Sequence, residues 1–62
     1  MDIIINGQSY EVTLGQMIQA ETIREIVNAP ETAEVWLITS GGDVQILDGA
    51  VLVDNGARFY TK

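Results

Sequence analysis

Sixty-two residues, 47% of them hydrophobic, carry a formal charge of −6 and make one small domain spanning residues 1–62, with no length for a second. The chain has no cysteine and no histidine, which excludes disulfides, a thiolate nucleophile, Cys-based zinc sites, the usual general base and the commonest metal ligand. Three basic residues against nine acidic ones provide no footprint for a phosphate backbone or an anionic bilayer, so neither nucleic acid nor membrane is expected as a partner.

The amino terminus, Met1-Asp2-Ile3-Ile4-Ile5, lacks the basic n-region of a signal peptide. No apolar run approaches the roughly 20 residues of a membrane span. A cytoplasmic location is therefore expected. Ile3 to Ile5, Asn6-Gly7 and Tyr10 to Val12 read as a first hairpin, because Asn-Gly accommodates the positive φ angles of a tight turn between two β-rich runs. Period two then gives way. From Ala20 to Ala29, Ile23, Ile26 and Val27 fall at the i, i+3, i+4 spacing of a helix face, and Met17 and Ile18 extend that face or lead into it. Pro30 ends the segment, since the residue before proline resists the α region. Glu21 suits the helix dipole and is placed to pair with Arg24.

Glu34 to Thr39 reads as a strand that is apolar on both faces, as a central position in a sheet requires. Gly41-Gly42 turns it into a short partner around Val44 to Leu47. Val51 to Val53 and Arg58 to Thr61 flank Asn55-Gly56 as a final strand pair. The economical arrangement is ββαββ, an α+β domain with one helix on a mixed sheet of four or five strands. The expected core is Ile3, Ile5, Val12, Ile23, Ile26, Val27, Val35, Leu37, Val51, Val53 and Phe59.

Catalysis is poorly supplied. No spacing forces two of the carboxylates together, as a general acid/base pair requires. Asp43, Asp48 and Asp54 sit beside glycine turns, where aspartate bonds its own backbone. The stretch from Asp43 to Asp54 lacks the alternating oxygen ligands and terminal glutamate of a calcium loop. Lys62 is the only lysine, so no glycine-rich loop has the lysine of a phosphate site. Ser9 and Ser40 have no histidine to activate them. The chain is expected not to be an enzyme and to have no catalytic, cofactor or metal site. Surface recognition is the better-supplied function. In the Glu34–Thr39 strand, Val35 and Leu37 point one way and Trp36 and Ile38 the other. A single helix covers one face of a sheet, so one of these pairs is the less buried. The strand alone leaves open which.

The order of elements and the residues at their joints resemble a known family. Ile3-Ile4-Ile5-Asn6-Gly7 is similar to the first strand and turn of the bacterial multiubiquitin-type domains, small β-grasp proteins related to ubiquitin. Met17-Ile18-Gln19-Ala20-Glu21-Thr22-Ile23-Arg24-Glu25-Ile26 resembles their lead-in and helix. The stretch from Asp48-Gly49 through Val51-Leu52-Val53 and Asn55-Gly56 to Phe59 resembles their glycine, apolar strand, second glycine turn and phenylalanine in the last strand. The resemblance implies a ubiquitin-like β-grasp fold. It further implies a non-catalytic interaction module or modifier from a bacterial ubiquitin-type system, with activating or conjugating enzymes among its partners. The family's modifiers, and the sulfur carriers of the same fold, act through a flexible tail ending in glycine. Phe59-Tyr60-Thr61-Lys62 offers none, so either the modifier reading requires a tail beyond Lys62 or the domain does not conjugate, and a sulfur-carrier role is disfavoured on the same ground.

The strand order implied by the resemblance places the first and last strands side by side, with the Glu34–Thr39 strand next to the last. If Ile3, Ile5, Phe59, Val35 and Leu37 face the helix, then Ile4, Tyr60, Trp36 and Ile38 form one apolar patch on the open face, with Arg58 beside it. A register shifted by one residue reverses the assignment. Such a patch marks an interface, with another protein or with a second copy of the chain as a homo-oligomer. The acidic charge also fits a different function, a standalone inhibitor or decoy from a phage or mobile element that blocks a basic surface on a host protein.

Overall fold

The residues 1–13, 17–47 and 49–62 are described by the structure, a computed structural model. β1 (Asp2–Ile5) and β2 (Gln8–Glu11) form the first hairpin. Asn6 and Gly7 have φ angles of 53° and 82°, the paired positive values that let a two-residue turn follow the twist of its strands. β3 (Met17–Gln19) leads directly into α1 (Ala20–Ile26). β4 (Val35–Thr39) and β5 (Gly42–Ile46) make a second hairpin, followed by β6 (Ala50–Leu52) and β7 (Arg58–Thr61). Among the described residues the result is an α+β arrangement with one helix and a mixed five-stranded sheet in the order β2-β1-β7-β4-β5. A separate two-stranded sheet joins β3 to β6.

Two expectations about the elements need correction, and one open alternative is decided. Met17 and Ile18 lead into the helix rather than extending its face. They lie in β3, antiparallel to β6, with Ile18 opposite Val51. The segments on either side of Asn55-Gly56 are not partners of one another. β6 goes to β3, whereas β7 lies parallel to β1 and antiparallel to β4. The helix also stops before Ala29. Asn28 turns left-handed at φ 57°; its N–H donates to the Glu25 carbonyl at 3.2 Å, and the Ala29 N–H reaches the Arg24 carbonyl at 2.8 Å. This pair of bonds is the Schellman closure, which satisfies carbonyls that the helix end leaves free. Pro30 follows a helix already closed. Arg24 does not use its Nε on Glu21; that nitrogen donates to the Ala33 carbonyl at 2.7 Å and ties the loop to the helix. Asp48 lies outside the described residues.

The buried core is Ile3, Ile5, Ile18, Ala20, Ile23, Val35, Ile46, Val53 and Phe59. Of the expected core, Val12, Ile26, Val27, Leu37 and Val51 are only partly buried, packed around its margin. Ile18, Ala20 and Ile46 are additional members, the first two brought inward by the β3–β6 pairing and the short helix that follows it. No polar or charged residue is buried among those described. The folded surface of 4077 Å² is that of an ordinary monomeric domain, about 4,000 Å² by size scaling.

Ile23 is fully buried while Ile26 sits at the margin. Ile23→Ala is therefore expected to cost about 2–5 kcal/mol, and Ile26→Ala clearly less, in urea unfolding. Equal losses would place Ile26 in the core. Asn28→Ala is expected to cost at most about 1–2 kcal/mol, because alanine lacks the local polar bonding by which asparagine tolerates the left-handed conformation, whereas Asn28→Gly, with no Cβ to strain, retains stability.

Candidate functional site

Period-two alternation, anchored by the core, decides which side chains meet solvent on the main sheet. Ile3, Ile5, Val35 and Phe59 are buried together with Ile18, Ala20 and Ile23, so the helix and the small sheet cover the same side. Ile4, Arg58, Tyr60, Trp36 and Ile38 occupy the alternate positions and face the other way. Their neighbours are set by register. Ile4 lies opposite Arg58 across β1 and β7; Arg58 lies opposite Ile38, and Tyr60 opposite Trp36, across β7 and β4. The structure thus brings all five onto one continuous surface. Ile4, Trp36, Ile38 and Tyr60 are half-buried and Arg58 is exposed.

The centre of this surface is a stack of two aromatic rings. Trp36 and Tyr60 lie nearly parallel, 9° apart with centroids at 6.1 Å, within the range of favourable aromatic pairing. Each ring is held at its polar tip by a carboxylate. Trp36 Nε1 donates to Glu34 Oε1 at 2.9 Å, and the Tyr60 hydroxyl donates to Asp43 Oδ2 at 2.9 Å. Asp43 belongs to β5, opposite Ile38, so its bond to Tyr60 crosses β4 diagonally. The Lys62 ammonium completes the cluster, 5.0 Å from the Trp36 ring centroid. Glu34 and Lys62 exchange backbone hydrogen bonds of 2.8 and 3.0 Å. They thereby extend the β4–β7 ladder by one pair and put Lys62 on the same face as Tyr60. Asn6 secures the far side of β7: its side chain donates to Thr61 Oγ1 at 3.0 Å and accepts the Thr61 N–H at 2.9 Å.

Glu34, Asp43 and Lys62 are the members of this cluster that sequence reasoning missed. Glu34 and Trp36 are two apart on one strand, as are Tyr60 and Lys62, so that spacing was a usable signal. Asp43 offered none, because its contact depends on the order of three strands. It is not the self-bonding turn residue expected. A second pair of apolar side chains, Met17 and Leu52, lies opposed across β3 and β6 and is largely exposed. Among the described residues, no three His, Cys, Asp or Glu side chains gather as a metal site, and no helix is long and apolar enough to cross a membrane. The hollow beside α1, around Glu21, Glu25 and Glu31, contains Arg24, whose Nε is already committed to Ala33. No family model, curated protein or solved structure matches the chain.

The Tyr60 hydroxyl is raised above its ordinary pKa of 10.0, first by its hydrogen bond to Asp43, then by desolvation, then by the charges of Asp43 and Glu34. The folded chain therefore holds this proton more tightly than the unfolded chain does. The associated stability is complete below 10.0 and is lost as pH rises through the folded-state value. In a Tyr10→Phe background, tyrosinate absorbance should follow Tyr60 alone and give a midpoint above 10.0. Asp43→Ala is expected to bring that midpoint down. An unmoved midpoint would show that the Asp43 bond does not control the hydroxyl.

Proposed function

We propose that this chain is a non-catalytic, ubiquitin-like β-grasp interaction module that docks another protein on the open face of its main sheet. The observation that carries this reading is the stacked Trp36–Tyr60 pair at the centre of that face, with Ile4 and Ile38 alongside. Tryptophan and tyrosine dominate binding hot spots, because each offers a large rigid area with a polar tip. Here the tips are already bonded to Glu34 and Asp43. Docking a partner therefore orders little that is not ordered beforehand, which lowers the entropic cost of association.

The β-grasp assignment is supported by the β1–β7 pair at the sheet centre with β4 beside β7, the order implied by the family resemblance. A module that works by contact also fits the residue inventory. Ser9 and Ser40 have no histidine to activate them, and the carboxylates at the aromatic pair serve as hydrogen-bond acceptors. The ubiquitin-type activating and conjugating enzymes implied by the resemblance are the first partners to test, and a second copy of the chain is the next.

Trp36→Ser and Tyr60→Ser, made separately, are expected to leave a folded domain. Each should lose about 0.5–1.5 kcal/mol with the aromatic pair beyond the area that its half-buried ring covers, and less in total than Phe59→Ala in the core, at about 3–5 kcal/mol. Thermal unfolding reads the first quantity. Sedimentation equilibrium and titration with the candidate enzymes read association, which both serine variants should weaken. Loss of folding in Trp36→Ser would make Trp36 a core residue and end this reading.

A further inference from the structure

The Lys62 ammonium stands over Trp36, a ring flanked on both sides by carboxylates. At 5.0 Å from the ring centroid it lies within the roughly 6 Å at which a cation is attracted to the indole face. The Glu34 carboxylate holds the Trp36 tip and the Asp43 carboxylate holds the Tyr60 tip, each at 2.9 Å. Asp2 and Glu11, paired across β1 and β2, add negative charge on the same face beyond Ile4. The cluster therefore has the components of a site for an organic cation: a π face, two fixed rings and negative charge on either side. A side chain of this chain already occupies it.

We propose that the Trp36 ring, between Glu34 and Asp43, takes an arginine or lysine side chain from a basic segment of a partner protein, with Lys62 as its internal occupant. This rests on the open face being the docking surface and specifies the chemistry which that surface accepts. Charge complementarity favours a basic occupant. The chain carries −6 overall, and Glu34, Asp43, Asp2 and Glu11 outnumber Arg58 and Lys62 on the face. The aliphatic stem of an incoming arginine has Ile38, two residues along β4 from Trp36, to lie against. Lys62 is an exposed, flexible side chain held by a surface cation–π contact, so a guanidinium can displace it at small cost.

The test follows fluorescence of Trp36, the chain's single tryptophan, during titration with a tetra-arginine peptide and with its neutral tetra-citrulline counterpart. The arginine peptide should bind and the citrulline peptide should bind far more weakly. Lys62→Gln, which vacates the ring, should tighten arginine binding about two- to fivefold. Thr13→Glu changes net charge equally near α1, beside Thr22 and Ile26, and should do less. Glu34→Gln should weaken binding more than Glu25→Gln, which removes the same charge from the helix. Equal binding of the two peptides, binding of neither, or Thr13→Glu matching Lys62→Gln would overturn the cation site. Equal binding of both would still leave the face a docking surface, whereas loss of folding in Trp36→Ser removes that surface altogether.

Discussion

Phe59 is buried between β1 and β4, opposite Ile5 on one side and Leu37 on the other. The rest of the sheet depends on that placement. With the Phe59 ring against the helix side, Arg58 and Tyr60 are forced outward, and the β4 register then brings Trp36 to Tyr60 and Ile38 to Arg58. Side chains alternate strictly, so slipping β7 by one residue would expose Phe59 and bury Arg58 and Tyr60. Transferring that much aromatic area to water, and a guanidinium into an apolar core, opposes the slip from both directions. The geometry of the open face is thus inherited from the core.

A small domain with a single helix has two sheet faces and material to cover one. Here α1, β3 and β6 all direct buried side chains, Ala20, Ile23, Ile18 and the adjacent Val53, to the same side. The uncovered side is managed locally. Aromatic rings cover part of it, and carboxylates satisfy the indole N–H and the phenol hydroxyl. Neither polar tip then requires water or a partner, and the surface tolerates solvent while presenting flat aromatic area. Hydrogen bonds from Asn6 to Thr61 and from the Asp2 N–H to Asn55 tie the two ends of β1 to the segments around β7, so the central pair is held at both ends.

Much of the candidate site was legible before the strands were placed. Ile4, Trp36, Ile38, Arg58 and Tyr60 face outward by alternation once Ile3, Val35 and Phe59 are assigned inward, and the strand order that joins them came from the family resemblance. The carboxylate bracket was less accessible. Glu34 shares a strand face with Trp36 and was within reach of the same argument. Asp43 was not, because its neighbours Gly41 and Gly42 marked it as a turn residue, and only the β7-β4-β5 order brings it to Tyr60. The helix boundary failed for a related reason. Pro30 is a visible stop, but the left-handed Asn28 and its pair of closing bonds ended the helix earlier.

The chain's own letters determined the features that depend on a few neighbouring residues. Asn6-Gly7 specifies a tight turn through its φ angles, Ile23 sets a helix face by spacing, and the missing histidine and cysteine remove whole classes of chemistry. Tertiary structure alone decided which strand pairs with which. β6 leaves its sequence neighbour β7 to join β3, and β7 crosses to lie parallel to β1. Those choices depend on apolar burial summed over the whole chain, a quantity that no local window contains. The same holds for Asp43 and Tyr60, seventeen residues apart, which meet only because the core has already fixed the strands between them.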